Sequence, residues 1–226
     1  MTIAASEISN EELSAITTSI KHRHGIDFTN YESKSLKRGL ARLMNKKKMI
    51  SILELWSLIL KDREFFMGCV DELTVNLTEL FRNPEIWTKL ANEILPEFEK
   101  SVRLNIWHAG CSSGEEVYTM AIILRDMQIL HKTSILATDL SSSIIEQAFE
   151  GKYSKMLMNK YTQSFQQSLP NANINDCFVA DGRYVKVNNQ LKKNIEFRTH
   201  NLVQDSMYRK FNIIFCRNVM IYFDDM

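Results

Sequence analysis

At 226 residues the chain is long enough to bury a substantial core and to hold one or two domains. Its 45% hydrophobic and 24% charged content is ordinary for a globular protein, and its formal net charge of +1 excludes a partner selected by global charge. The four cysteines, Cys69, Cys111, Cys177 and Cys216, are too scattered for a disulfide scaffold or a zinc site, which fits a reducing cytoplasm. The N-terminus carries no basic-then-apolar signal pattern, and no apolar run is long enough to span a bilayer.

The first third reads as three short amphipathic helices forming a small bundle. Ser9 and Glu12 are spaced as a capping box ahead of Leu13, Ile16 and Ile20, and Gly25 closes that helix. Thr29 and Glu32 repeat the box before Leu36, Leu40 and Leu43; Ser51 and Glu54 repeat it before Leu55, Trp56, Ile59 and Leu60. On the second helix Lys34, Arg38 and Arg42 fall in one i, i+4 row, with Lys37 beside them and Lys46-Lys47-Lys48 following. Such a run is either a solvated face or a docking surface for an acidic partner.

The stretch Asn76 to Arg82 leads into Asn83-Pro84-Glu85, which offers an N-cap, a proline suited to the first helical position and an acid that favours the dipole. A helix is expected from about Pro84 to Phe98, bent or ended near Pro96. The domain boundary is expected between residues 70 and 84.

An apolar run then breaks at Ala109-Gly110-Cys111-Ser112-Ser113-Gly114, and a helix follows with Ser113 and Glu116 at capping-box spacing. Strand, loop of small residues and helix N-terminus form the opening of a βαβ nucleotide-binding unit. The next strand, Ile135 to Thr138, ends in Asp139, placed to accept hydrogen bonds from a ribose. A short helix follows serines 141–143 and closes at Gly151. Residues 152–176 give no clear pattern. Cys177 to Ala180 and Tyr184 to Val187 flank Asp181-Gly182 as a β-hairpin. Ile195 to Thr199 reads as a strand, and Asn212 to Cys216 as a buried parallel one.

These elements point to a nucleoside-bearing cofactor. The dinucleotide fingerprint is absent, because Gly110 and Gly114 are separated by Cys-Ser-Ser, and no Walker motif occurs. That disfavours NAD and ATP and leaves S-adenosylmethionine. A structural βα turn in another α/β protein remains open from this loop alone.

Four segments occur in order: Asn76-Leu77-Thr78-Glu79-Leu80-Phe81-Arg82; Ala109 to Tyr118 with its Ser-Gly-Glu-Glu core; Ala137-Thr138-Asp139; and Phe215-Cys216-Arg217-Asn218-Val219-Met220-Ile221-Tyr222-Phe223. Together they resemble the bacterial chemotaxis receptor methyltransferases, the CheR family, over almost the whole chain. The resemblance implies an α/β fold: a Rossmann-like S-adenosylmethionine-dependent methyltransferase sheet, a small N-terminal helical bundle and an inserted small antiparallel β-subdomain. Residues 1–75 would form the helical domain with its basic second helix, and 76–226 the methyltransferase domain, with the β-subdomain at about 160–200. Family members continue past Ile221-Tyr222-Phe223 with a helix and two more strands, so the C-terminal end of the sheet is expected to be missing.

The resemblance also implies the reaction. It is S-adenosylmethionine-dependent O-methylation of glutamates on the cytoplasmic helical region of chemoreceptors, giving γ-glutamyl methyl esters and S-adenosylhomocysteine, by a cytoplasmic enzyme serving chemotactic adaptation. By matching positions, Asn76, Thr78, Arg82, Glu116, Asp139, Asn201, Leu202, Arg217 and Asn218 would surround the cofactor. Arg82 would lie near its methionyl end and the substrate carboxylate, and Tyr222 near the transferred methyl. Lys34, Lys37, Arg38 and Arg42 would dock the receptor. In some members the β-subdomain also binds a receptor C-terminal peptide. No metal is implied. A glutamate with an ordinary pKa of about 4.3 is ionised at neutral pH, so no strong general base is needed. The alternative of another class is a non-catalytic receptor-docking or S-adenosylmethionine-sensing module of the same fold. A nucleic-acid methyltransferase is weaker, since the Asn-Pro-Pro-Tyr type of motif is absent.

Overall fold

Hydrogen bonds at the helix starts and apolar spacing along the helices account for the N-terminal third. The computed structural model describes residues 4, 7–29, 31–73 and 78–220. α1 (Asn10–His24) opens on the expected capping box: Ser9 Oγ accepts from the Glu12 N–H at 3.0 Å, and Glu12 Oε2 accepts from the Ser9 N–H at 2.8 Å. α2 (Ser33–Lys47) departs from expectation. Its cap is Glu32, whose carboxylate accepts from the Lys34 and Ser35 N–H groups, while Thr29 turns back to Asp27 Oδ1. α3 (Ile52–Lys61) keeps half of its box: Ser51 accepts from Glu54, but the Glu54 carboxylate accepts from Ile50 instead. A fourth helix, α4 (Arg63–Leu73), completes the bundle where three were expected, burying Phe66, Cys69, Val70 and Leu73. Gly39 lets α4 come close to α2: a Cβ there would stand 2.7 Å from Glu72 O.

The chain divides into two compact units. One comprises the described parts of Met1–Asn76, His200–Ser206 and Arg217–Met226; the other comprises Leu77–Thr199 and Met207–Cys216.

The second unit holds an all-parallel sheet in the order β6-β2-β1-β7, built from β1 (Leu104–Ala109), β2 (Thr133–Asp139), β6 (Ile195–Thr199) and β7 (Ile213–Phe215). Leu104, Ile106 and His108 alternate inward along β1, and all three are fully buried. α6 (Glu115–Asp126) is apolar nearly all round and sinks into the core, with Val117, Tyr118 and Met120 through Leu124 inaccessible. The helix expected from Pro84 does start there, as α5 (Pro84–Lys89). It then widens into a π turn over Leu90–Ile94 and tightens to a 3-10 turn at Leu95–Phe98, where Pro96 cannot supply the helical N–H. Asn83 does not cap it by side chain; it sits at φ 58°.

β7 pairs in parallel with β1 as expected but forms the sheet edge among the described residues, leaving Ile214 exposed rather than buried. α7 (Ser142–Glu150) starts on Ser141 and closes at Gly151 as read. Residues 152–176 are not irregular. They begin with β3 (Lys152–Ser154) and continue as α8 (Lys155–Ser168), whose polar sequence turns mainly Tyr161 and Phe165 inward. β3, β5 (Tyr184–Val187) and β4 (Phe178–Asp181) make a separate antiparallel sheet in that order, with Gly182 and Arg183 as its two-residue turn. This sheet spans 152–187, so it starts earlier than the expected 160–200 interval and ends before β6, which belongs to the parallel sheet. α9 (Asn189–Lys192) links the two. No helix of the described residues is long and apolar enough to cross a membrane.

Candidate functional site

The candidate site is built around the tips of β1 and β2. Past Ala109 the chain turns sharply, and the N–H groups of Gly110 and Cys111 both donate to Thr138 O at 2.8 Å. Ser112 follows at φ 49°, and its N–H donates to Asp139 Oδ2 at 2.8 Å. The other carboxylate oxygen of Asp139 accepts from the Ser141 N–H at 3.3 Å, so this buried acid ties the tip of β2 to the loop after β1. Tyr153 holds the far end of the loop, its hydroxyl donating to Ser113 O at 2.9 Å.

The expected capping box at Ser113 and Glu116 does not form. Gly114 is the residue before α6 and makes no side-chain cap; Ser113 Oγ instead donates to Glu115 Oε2 at 2.7 Å. Gly114 is required there on two counts. Its φ is 90°, and a Cβ would meet Ala148 Cβ at 3.1 Å and Tyr118 Cε2 at 3.2 Å. Its smallness serves packing against α7 as well as the turn. Burial pushes the Glu115 carboxyl above its ordinary value, against the hydrogen bond from Ser113.

Glu116 is freed from any capping duty and meets His108 across β1 and α6: Nδ1 and Oε1 are 2.9 Å apart. The His108 ring stacks on Phe215, its parallel-strand neighbour, with centroids 4.8 Å apart and 9° between planes. Phe215 also stacks on Trp87 of α5 at 5.7 Å and 19°.

Arg82 lies on the segment before α5. Phe81 and Asn83 on either side of it adopt left-handed backbone, at φ 56° and 58°, which bulky residues hold only when the surroundings enforce it. Three contacts do so. The Phe81 N–H donates to Thr119 Oγ1 at 3.0 Å, the buried Phe81 ring packs edge-on against Phe165, and Trp87 Nε1 donates to Arg82 O at 2.9 Å. Thr119 is three residues past Glu116 on α6, so the Arg82 segment is pinned to the helix that carries Glu116. Thr78 precedes it, partly buried.

Of the residues read from the sequence, Thr78, Arg82, Glu116 and Asp139 thus belong to the α/β unit. Asn201, Leu202, Arg217 and Asn218 group with the helical unit; there Asn201 Oδ1 accepts from the Val203 N–H at 3.0 Å, and its backbone N–H donates to Asp205. Asn76 and Tyr222 lie outside the described residues. On α2, Lys34 and Arg38 are exposed, Lys37 donates to Asn10 Oδ1 at 2.8 Å, and Arg42 bonds Glu72 through both its backbone carbonyl and its carboxylate. The basic row is therefore partly committed to internal partners.

His108, Thr119, Trp87 and Phe215 were not singled out from the sequence as site residues. A histidine at an inward position of the Leu104, Ile106, His108 alternation was the available signal. The cysteines behave as packing residues: burial raises the Cys69 thiol to about 11 and also raises Cys111, Cys177 and Cys216.

Residues 76–226 match the model of the CheR methyltransferase SAM binding domain, and residues 11–74 match that of the CheR methyltransferase all-alpha domain. The chain belongs to the CheR methyltransferase family. A chemotaxis protein methyltransferase of Listeria innocua is 32% identical over 209 residues, covering 92% of this chain and 77% of that protein. Chemotaxis protein methyltransferase 1 of Vibrio cholerae is 31% identical over 230 residues, covering 98% and 82%. This CheR protein is an S-adenosylmethionine-dependent methyltransferase of the chemotaxis type. The donors on the loop after β1, the tip of β2, α6 and the segment before α5 fit that cofactor. Carboxylates from Asp139 and Glu116 suit ribose hydroxyls and an ammonium, the Arg82 guanidinium suits a carboxylate, and the buried Ser112 Oγ has no protein partner among the described residues.

Proposed function

We propose that this CheR protein esterifies glutamate side chains on the cytoplasmic helical region of chemoreceptors, working in the cytoplasm. When bound, the cofactor supplies a methyl group on a sulfonium, an electrophile that needs no further activation. What remains for the protein is alignment of a carboxylate oxygen with that methyl, a matter of proximity and orientation. Asp139 holds the ribose end and Glu116 the methionyl ammonium. Arg82 grips a carboxylate with its planar fork, and Tyr222 orients the partners at the methyl. Asn76, Thr78, Asn201, Leu202, Arg217 and Asn218 complete the cofactor's surroundings. Lys34 and Arg38, exposed members of the basic row, meet the acidic receptor helix, with Lys37 and the Glu72-bound Arg42 framing them. Residues 76–226 act as the catalytic domain and 1–75 as the docking domain.

The observation that carries the reading is the pinning of Arg82. A segment with two left-handed non-glycine residues is fastened by Thr119 to the helix bearing Glu116, and this fixed backbone on either side of Arg82 supports a role for its guanidinium beside Glu116.

The test is transfer of radiolabelled methyl from S-adenosylmethionine to a receptor cytoplasmic fragment, followed by mild alkali. Label released as methanol is expected, and Arg82→Ala is expected to lower kcat/KM by about 100-fold. Undiminished transfer by Arg82→Ala would remove Arg82 from the mechanism. Cofactor binding without any transfer by the unaltered protein would turn the reading towards a docking module.

A further inference from the structure

His108 sits where the mechanism above asks nothing of it, yet both its ring face and one of its ring nitrogens have defined partners. It is fully buried. One ring nitrogen, Nδ1, is 2.9 Å from Glu116 Oε1, and the other, Nε2, has no partner among the described residues. A proton on Nε2 would bury an N–H donor with nothing to accept it, whereas a bare lone pair there is tolerated more easily. The carboxylate facing Nδ1 can only accept, so the arrangement puts a ring proton on Nδ1, donating to Glu116 Oε1. The ring cannot turn away, because its face lies on Phe215, and Phe215 lies on Trp87. Trp87 in turn donates to the Arg82 carbonyl. Three near-parallel rings thus connect the group that orients Glu116 to the group that holds the Arg82 segment.

We infer that His108 is a positioning residue for cofactor binding: through Nδ1–H it fixes the Glu116 carboxylate, and the Trp87–Phe215–His108 column keeps that carboxylate in register with the Arg82 segment. The inference rests on Glu116 facing the cofactor, as in the proposed function, but not on the identity of the methyl acceptor.

The geometry distinguishes isosteres. In asparagine the amide nitrogen stands the same number of bonds from Cα as Nδ1; in glutamine it stands where Nε2 does. The experiment is calorimetric titration of the full chain with S-adenosylhomocysteine, with melting temperatures recorded for each variant. His108→Leu and His108→Gln are expected to weaken binding by about tenfold, the scale of losing one buried hydrogen bond to a charged group, while His108→Asn stays within about threefold. A structural role alone would move melting temperature without separating asparagine from glutamine. Combining His108→Leu with Glu116→Ala is expected to cost little more than Glu116→Ala alone, because His108 acts on binding only through that carboxylate. Nitrogen NMR of the unaltered protein is expected to show the Nδ1–H tautomer.

Three results would overturn the inference: additive losses in the double variant, an Nε2–H tautomer, or asparagine behaving like leucine. If Glu116→Gln leaves affinity unchanged, the placement of Glu116 at the cofactor falls, and His108 with it. If Glu116→Gln weakens binding and His108→Leu does not, the His108 inference alone falls.

Discussion

In the helical unit, α1 and α3 begin on side-chain hydrogen bonds that reach three residues along the chain. In the α/β unit, the atoms around the strand tips are tied over 27 residues from Asp139 to Ser112, 38 from Thr119 to Phe81, and 8 from Glu116 to His108. The first kind of bond is written in neighbouring letters and forms as the helix forms. The second exists only once strands and helix have been brought together, so its strength depends on the packed core around it. Substitutions in the two regions should therefore be felt differently: in stability alone for the helix starts, and in ligand binding for the strand tips.

The largest effect is expected where one side chain holds the loop and, in the proposed function, also the cofactor. Asp139→Ala removes the acceptor for the Ser112 and Ser141 N–H groups as well as the proposed ribose contact. S-adenosylhomocysteine affinity should fall by at least about 100-fold, since hydrogen bonds to a charged group count for ~1.5–3 kcal/mol each. Calorimetry showing binding within a small factor of the unaltered protein would mean that the loop after β1 holds itself, and the contrast between the two regions would lose its basis.

Gly114→Ala should come next and should register mainly in stability. Alanine at φ 90° is strained, and its Cβ would press on Ala148 of α7. A loss of roughly 2 kcal/mol is expected in urea unfolding, combining left-handed strain with overpacking. Relief of that loss by Ala148→Gly would locate it at the α6–α7 contact; no relief would assign it to the backbone alone.

This division also explains what could be read in advance. The turn after β1, the hairpin around Gly182 and the helix starts at Ser9 and Ser141 rest on short-range chemistry and appear where the sequence places them, the hairpin turn shifted by one residue to Gly182-Arg183. The box at Thr29 and Glu32 failed because Asp27, two residues back, offers Thr29 a nearer carboxylate. The box at Ser113 and Glu116 failed because Gly114 enters α6 in left-handed backbone. α8 went unread because its inward Tyr161 and Phe165 are diluted among Asn, Gln and Lys, and its partner surface, α5, is distant in sequence. The family motifs marked Arg82 and Glu116, but neither Thr119 nor His108. Their roles arise from facing residues on other elements, which no local spacing records.

The smallest effect belongs to the region of local bonds. Ser9→Ala removes one half of the capping box on α1 and leaves the Glu12 N–H to solvent. The expected cost is about 1 kcal/mol of stability, the usual value for an N-cap serine. Glu12→Gln should cost less, because an amide oxygen still accepts from the Ser9 N–H. Neither change touches the strand tips, so S-adenosylhomocysteine affinity should stay unchanged while the unfolding midpoint drops. If affinity fell along with stability, the start of α1 would be coupled to the cofactor site. The helix starts would then have to be treated as part of the functional machinery, not only of the scaffold.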